Sequence, residues 1–246
     1  GCQKMKLISI SILIICAVSL TFACSQSDSS ETTPETETVV LTEAEVISKS
    51  GGVMETLKSF HFSMTHEVGV TEFLPGLDVE ETSGDVQPPD LLSAEFIGMF
   101  GAFPVRSMLV AIGKDNYLTN PLTGVWEQIE PTVNLGGFFN TDEGMASLLE
   151  KMTEPQFMVD PSLDSPNYQI SGKLQSTLLD KLLGDTLEDE TVAVEATINK
   201  ETFHLTVIKF IGKAKVTDID GTIRLVTMSK FNVPVEIEVP KITDSQ

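Results

Sequence analysis

A period of two constrains the fold more than any other feature of the chain. From residue 60 onward, apolar and polar side chains alternate over one short segment after another. Phe60, Phe62, Met64 and Val68 share one face of the first segment, opposite His61, Ser63 and Thr65. A strand sends successive side chains to opposite faces, so this spacing predicts a strand with one buried face. Similar patterns predict strands near residues 78–86, 92–99, 105–112, 116–119, 168–174, 192–198, 203–211, 222–231 and 233–239. Helical spacing is rarer. Thr42-Glu43-Ala44-Glu45 reads as a capping box, followed by the stripe Val46, Ile47, Val53, Met54 and Leu57, with Gly51-Gly52 as an interruption. A second helix is expected to open at Thr141-Asp142-Glu143, with Met145, Leu148, Leu149 and Met152 as its stripe. A third opens at Ser176, carries Leu178, Leu179, Leu182 and Leu183, and ends at Gly184. This order of elements predicts an α+β domain with an antiparallel sheet, not alternating parallel βαβ units.

The amino terminus is of another kind. Residues 7–20 read LISISILIICAVSL, 14 residues without a charge, preceded by Lys4 and Lys6. A bilayer span needs about 20 apolar residues. The run is short for that and fits the apolar core of a signal peptide. The sequence opens Gly1-Cys2-Gln3, and Met5 is the expected true start. Leu20-Thr21-Phe22-Ala23-Cys24 resembles a lipobox, with Thr21 where leucine is usual. The resemblance implies that residues 1–23 are removed and that Cys24 becomes an acylated amino terminus. Ordinary signal cleavage with an incidental Cys24 is the alternative. The three cysteines are Cys2, Cys16 and Cys24, so the segment after Cys24 has no disulfide, thiolate metal site or cysteine nucleophile.

Residues 25–38 read SQSDSSETTPETET, which has no apolar side chain to bury. Residues 24–41 are therefore expected to be a flexible tether, with a reach of roughly 23 Å. One domain over residues 42–241 and a short tail, 242–246, complete the organisation; about 220 residues after Cys24 suffice for a substantial core. All 36 acidic residues follow Cys24, whereas Lys4 and Lys6 precede it, so the exported part is more acidic than the whole chain's net charge of −20. Such a surface repels nucleic acid and anionic headgroups. A covalent lipid, not a basic patch, would have to hold it at a membrane.

Chemical motifs are sparse. His61 and His66 are five apart on a strand and point to opposite faces, and His204 stands alone. A metal site needs convergent ligands, so none is expected. Glu80-Glu81 and Glu188-Asp189-Glu190 read as solvated turns, with general acids or calcium ligands as the sharper alternative. Asp218-Ile219-Asp220-Gly221-Thr222 reads as a hairpin turn, with calcium at Asp218 and Asp220 as its alternative. No nucleophile elbow, phosphate-binding loop or dinucleotide fingerprint is present, and Gly136-Gly137 has no adjacent lysine. Neither an enzyme nor a cofactor is expected.

Residues 96–100 (FIGMF) and 108–112 (MLVAI) are apolar on both strand faces. Either helices cover one side of the sheet or the sheet encloses an apolar lumen. The sets that alternation places on one face are Phe60, Phe62 and Met64; Phe96 and Phe100; Leu109; Val192, Val194 and Ile198; Leu205 and Val207; and Ile223 and Leu225. These are the candidate cavity-lining residues, should the sheet enclose a lumen. Alternation does not separate lumen from packed core.

From about residue 40 to 240 the chain resembles the LppX/LprG-type (LppX_LprAFG) bacterial lipoproteins. Carrying the resemblance are Met54-Glu55-Thr56-Leu57-Lys58-Ser59-Phe60-His61-Phe62, Gly84-Asp85-Val86-Gln87-Pro88-Pro89, Val110-Ala111-Ile112-Gly113, Tyr117 and Thr123-Gly124-Val125-Trp126. Met228-Ser229-Lys230-Phe231-Asn232-Val233-Pro234-Val235-Glu236-Ile237, then Pro240, closes the series. The resemblance implies a curved antiparallel sheet, a half-barrel around a few helices, similar to the LolA/LolB carriers. It also implies an apolar cavity for acylated lipids or glycolipids, movement of such lipids across the envelope, and a lipid exporter as partner. No catalytic motif comes with the family. The competing reading is an envelope sensor or scaffold that binds a partner protein.

Overall fold

The computed structural model of the chain describes residues 40–129 and 144–242. The expected signal peptide, Cys24, most of the tether and the helix opening at Thr141 lie outside the described residues.

The described part starts with helix α1, Glu43–Glu55, and its capping box is formed as expected: Thr42 Oγ1 accepts from the Glu45 amide and the Glu45 carboxylate accepts from the Thr42 amide. Seven strands follow: β1 Phe60–Val68, β2 Thr71–Leu74, β3 Leu77–Gln87, β4 Leu91–Phe100, β5 Phe103–Ile112, β6 Asp115–Thr119 and β7 Trp126–Ile129. Helix α2, Met145–Glu150, leads into β8 Thr153–Phe157 and β9 Asn167–Gln175. A 3-10 turn, Ser176–Leu179, runs into the short helix α3, Asp180–Leu183, before β10 Thr191–Asn199, β11 Leu205–Ile211 and β12 Ile223–Ser229. None of the described helices is long and apolar enough to cross a membrane.

All strand pairs are antiparallel, and the spatial order is β7-β6-β5-β4-β3-β1-β12-β11-β10-β9-β8, with β2 on β3 off this path. Each half of the chain is a meander, and the β1–β12 pair welds the halves together. The path ends at β7 and β8, so the sheet is open. Laid flat, the eleven strands of that path at about 4.8 Å would spread over nearly 50 Å. Yet residues from β1, β5, β10 and all three helices share one buried cluster. The sheet therefore curls around the helices. Gly84 and Gly98 help it do so: a Cβ at either would overlap the backbone of the neighbouring strand.

Alternation decides which face is inside until a bulge intervenes. β1 reads Phe60, Phe62 and Met64 inward, as the sequence predicts. On β11 the register slips against Thr197/Ile198. Leu205 faces in, the slip uses an extra residue, and Ile208 and Phe210 take the next inward positions. Val207 is thus on the outer face, a correction to its grouping with Leu205. β12 is corrected as a whole. Its inward residues are Arg224, Val226 and Met228, not Ile223 and Leu225. Val226 and Met228 pair with Met64 and Phe62, and directly paired residues share a face, so the register with β1 settles the matter.

Three strands escape the alternation pattern: β2, β7 and β8 are four or five residues long and carry too few apolar positions. The strand expected over residues 233–239 is absent. Pro234 removes a ladder donor there. The chain instead turns at Lys230 and Asn232, both at positive φ, and is pinned to Ser59 by the Asn232 amide. Two-faced apolarity of β5 has a plain cause: Leu109 and Ala111 face the core while Val110 is buried on the other side, paired with Tyr117.

Candidate functional site

The concave face carries the buried hydrophobic cluster of the sheet, and the helices close it. Leu182 and Leu183 of α3, Leu179 of the 3-10 turn, Val46 and Ile47 of α1, and Leu148 and Leu149 of α2 are all buried there. Between Leu182 of α3 and strands β1 to β4 is a cavity of about 20 Å³ lined by Phe62, Met64, Thr71, Phe73, Val79, Thr82, Phe96 and Leu182. That is room for about one water. This cavity is far smaller than a ligand site of roughly 300–1,000 Å³.

Of the thirteen candidate positions, Phe62, Met64 and Phe96 come together at this cavity. Phe60, Leu109, Val192, Val194, Ile198 and Leu205 are buried elsewhere in the same core. Phe100 is partly buried against it at the end of β4. Val207, Ile223 and Leu225 face the opposite side of the sheet.

Two features of the cavity have no counterpart in the sequence reading. The first is Phe73 of β2, whose ring lies 4.9 Å from that of Phe96. The second is Thr82, 5% exposed, whose hydroxyl has no hydrogen-bond partner among the described residues. An unsatisfied buried hydroxyl costs roughly 1–3 kcal/mol. Thr82→Val, which keeps the shape, is expected to raise stability by about 1 kcal/mol in urea unfolding. An unchanged or lower midpoint would mean that water already satisfies the hydroxyl.

Beside the cavity sits a buried polar cluster. Arg224 is 1% exposed, and its guanidinium forks onto Asp218 while Nε donates to Thr71 Oγ1 at 2.8 Å. Asp218 also accepts from the amides of Ala214, at 2.8 Å, and Lys215, at 3.0 Å. Burial pushes its carboxyl pKa up, but the hydrogen bonds and charge of Arg224, with the two amides, outweigh that and hold it below the usual range. Asp218 is therefore a buried anchor; the expected hairpin turn is present beside it, where the Thr222 amide donates to the Ile219 carbonyl and Gly221 has positive φ, and the calcium alternative at Asp218 fails because Arg224 already occupies both oxygens. Lys215, 8% exposed, donates from Nζ to the Glu72 carbonyl at 2.8 Å and the Leu183 carbonyl at 2.6 Å. Burial, then the Arg224 charge, lower its pKa. His66 Nδ1 lies 2.7 Å from the Glu80 carbonyl and Nε2 lies 2.8 Å from Thr71 Oγ1; burial lowers its pKa too.

These groups satisfy one another's hydrogen bonds within the buried cluster. His61 pairs with Asp85 at 2.7 Å, and His204 stacks on Phe231. Among the described residues, no three His, Cys, Asp or Glu side chains come close enough to hold a metal ion.

The LppX_LprAFG lipoprotein family matches residues 43–237, most of the chain. The chain belongs to that family. Two solved structures show the same fold. LprF from Mycobacterium bovis aligns with TM-score 0.61 at 16% identity, over 80% of this chain and 96% of that one. The Mycobacterium tuberculosis lipoprotein LppX aligns with TM-score 0.55 at 17% identity, over 80% and 98%. A LolA superfamily protein from Nitrosomonas europaea is also similar, at TM-score 0.30 and 12% identity over 81% and 96%, a likeness too weak to build on. No curated protein sequence matches. The open antiparallel sheet with few helices is the α+β architecture expected from the sequence.

Proposed function

We propose that this chain is an exported lipoprotein that takes the acyl chains of a lipid or glycolipid into its apolar interior and carries them across the cell envelope. In this reading residues 1–23 are a signal peptide, a lipid on Cys24 holds the protein to the outer face of the cell membrane, residues 24–41 are the tether and residues 42–241 the binding domain. A lipid exporter is the natural partner.

The observation that carries the reading is how the concave face is closed. Helices two turns long or less cover much of it, and the sheet ends at β7 and β8, each paired on one side only among the described residues. A closed barrel has a diameter fixed by its strand number and shear. An open sheet can splay, and moving α3 breaks side-chain contacts while the strand ladders stay intact. The 20 Å³ cavity is then the seed of a larger one. The energetic need is clear. Exposing about 15 methylenes to water costs roughly 12 kcal/mol at about 0.8 each. An interior that substitutes for water removes most of that barrier without any catalytic group.

The near-filled interior favours a second reading, a non-catalytic envelope sensor or scaffold that binds a partner protein. Native mass spectrometry of the full chain purified from bacterial membranes separates the two. A co-purifying lipid adduct is the expected result. An empty chain that carries a bound protein would overturn the carrier reading.

A further inference from the structure

The wall of the cavity is weakest at β2. This strand has four residues and pairs on one side only, with β3. Its register breaks between Glu72 and Leu74, so Phe73 has no opposite residue in the ladder. Yet Phe73 is the side chain that lines both the 20 Å³ inner cavity and a second pocket on the outside. The outer pocket holds about 210 Å³ and is walled by Leu74, Pro75, Asp185, Lys215 and Val216 among others. Among the described residues, the free side of β2 is held by side chains. Lys215 Nζ ties the Glu72 carbonyl to the carbonyl of Leu183, and Arg224 and His66 reach Thr71. Leu182, one residue before that latched carbonyl, is the helical side chain that fills the cavity from the other side.

We propose that an acyl chain enters the interior past Phe73, and that the outer pocket keeps its polar head. Swinging the Phe73 ring joins the two spaces without breaking a paired position of the ladder. Releasing Lys215 would free β2 and the end of α3 together, so wall and plug move as one. Inside, the unpartnered Thr82 hydroxyl waits 5% exposed in the cavity lining, a polar atom that the packed protein does not use. Outside, Glu72 and Asp185 line the pocket, while the one ammonium there is already committed to two carbonyls. That balance disfavours an anionic head and suits a neutral or zwitterionic one. The inference rests on the lipid-binding reading above.

The test follows dequenching of a pyrene-acyl phosphatidylcholine as it leaves phosphatidylcholine vesicles for the full-length protein. Phe73→Ala is expected to raise the initial rate roughly tenfold, the factor that corresponds to losing one aromatic pair contact. Met152→Ala, at a separate pocket of about 250 Å³ between α1, α2 and β8, should leave the rate unchanged. Phe73→Leu keeps an apolar side chain and serves if the alanine variant does not fold; it should also accelerate uptake. A pyrene-acyl phosphatidylglycerol should transfer more slowly than the phosphatidylcholine. Uptake by the native chain with no response to either Phe73 variant, or with Met152→Ala as the faster one, overturns the portal and leaves lipid binding standing. Equal or faster transfer of the anionic probe overturns the head assignment. No uptake by any form overturns the lipid-binding reading, and the portal with it.

Discussion

Asp218→Ala is expected to lower the stability of the folded domain by about 3–5 kcal/mol at pH 7, the cost of leaving one partner of a buried ion pair alone. The reason is geometric. Arg224 is the largest fully buried side chain among the described residues, on the inner face of β12 between apolar neighbours. Its guanidinium has Asp218 and Thr71 as hydrogen-bond partners, and Asp218 supplies the opposing charge. Deleting the carboxylate also strands the Ala214 and Lys215 amides that it accepts from. The pH dependence has a definite sign. The folded carboxyl titrates below its ordinary value, so the unfolded chain takes up the proton first as pH falls. The pair's contribution is present above the unfolded value of about 3.9 and is lost as pH drops through the lower folded value. Urea unfolding of the native and Asp218→Ala chains should therefore differ most at neutral pH and converge on acidification below about pH 4. A difference below 1 kcal/mol at pH 7 would refute the anchor role.

Residue patterns made most of the sheet legible because one face of each long strand is buried and the other is not. β1, β3, β4, β5, β9 and β10 could be read from alternation within a residue or two of their ends. The Thr42 capping box and the Leu178 to Gly184 stripe located α1 and α3, since caps and stripes are local. Failures occurred where a long-range partner decides. Arg224 looks outward by composition, and only its pairing with His66 of β1 and the return of Asp218 across the β11–β12 loop bring it inside. Val207 was misplaced by a single bulge, which reverses every later side chain on the strand.

The site was less legible than the fold, for a related reason. Phe62, Met64 and Phe96 sit on long strands whose period announces them. Phe73 and Thr82 do not announce themselves. Phe73 stands in a strand too short to show a period, and Thr82 is a polar residue at an inward position. Its placement follows from lying opposite Phe96 and Met64, both inward-facing, which is a statement about pairing and not about local sequence. The apolar cavity was expected from the family resemblance, and the apolar faces alone left lumen and packed core open. Those faces are present, but the leucines of α3 occupy the space between them.

Cys24→Ser should have the largest functional effect: the protein should leave the membrane or keep its signal peptide. The argument begins with what else could hold the exported part at a bilayer. With 36 acidic residues against 16 basic ones in the whole chain, an anionic leaflet repels it. The described helices offer no span. A lipid on Cys24 would therefore carry the whole attachment, and two or more acyl chains are needed, because one binds only marginally. Serine is nearly isosteric with cysteine but offers no thiol to acylate. Processed variant should appear in the soluble fraction, with an intact mass lower than native by the acyl groups. Unprocessed variant should stay with the membrane, but heavier by the retained residues 1–23 and lacking the acyl mass. Intact mass thus separates the outcomes where fractionation alone does not. A variant whose mass differs from the native protein only by the serine substitution, and which fractionates as before, would show that Cys24 is not the attachment point.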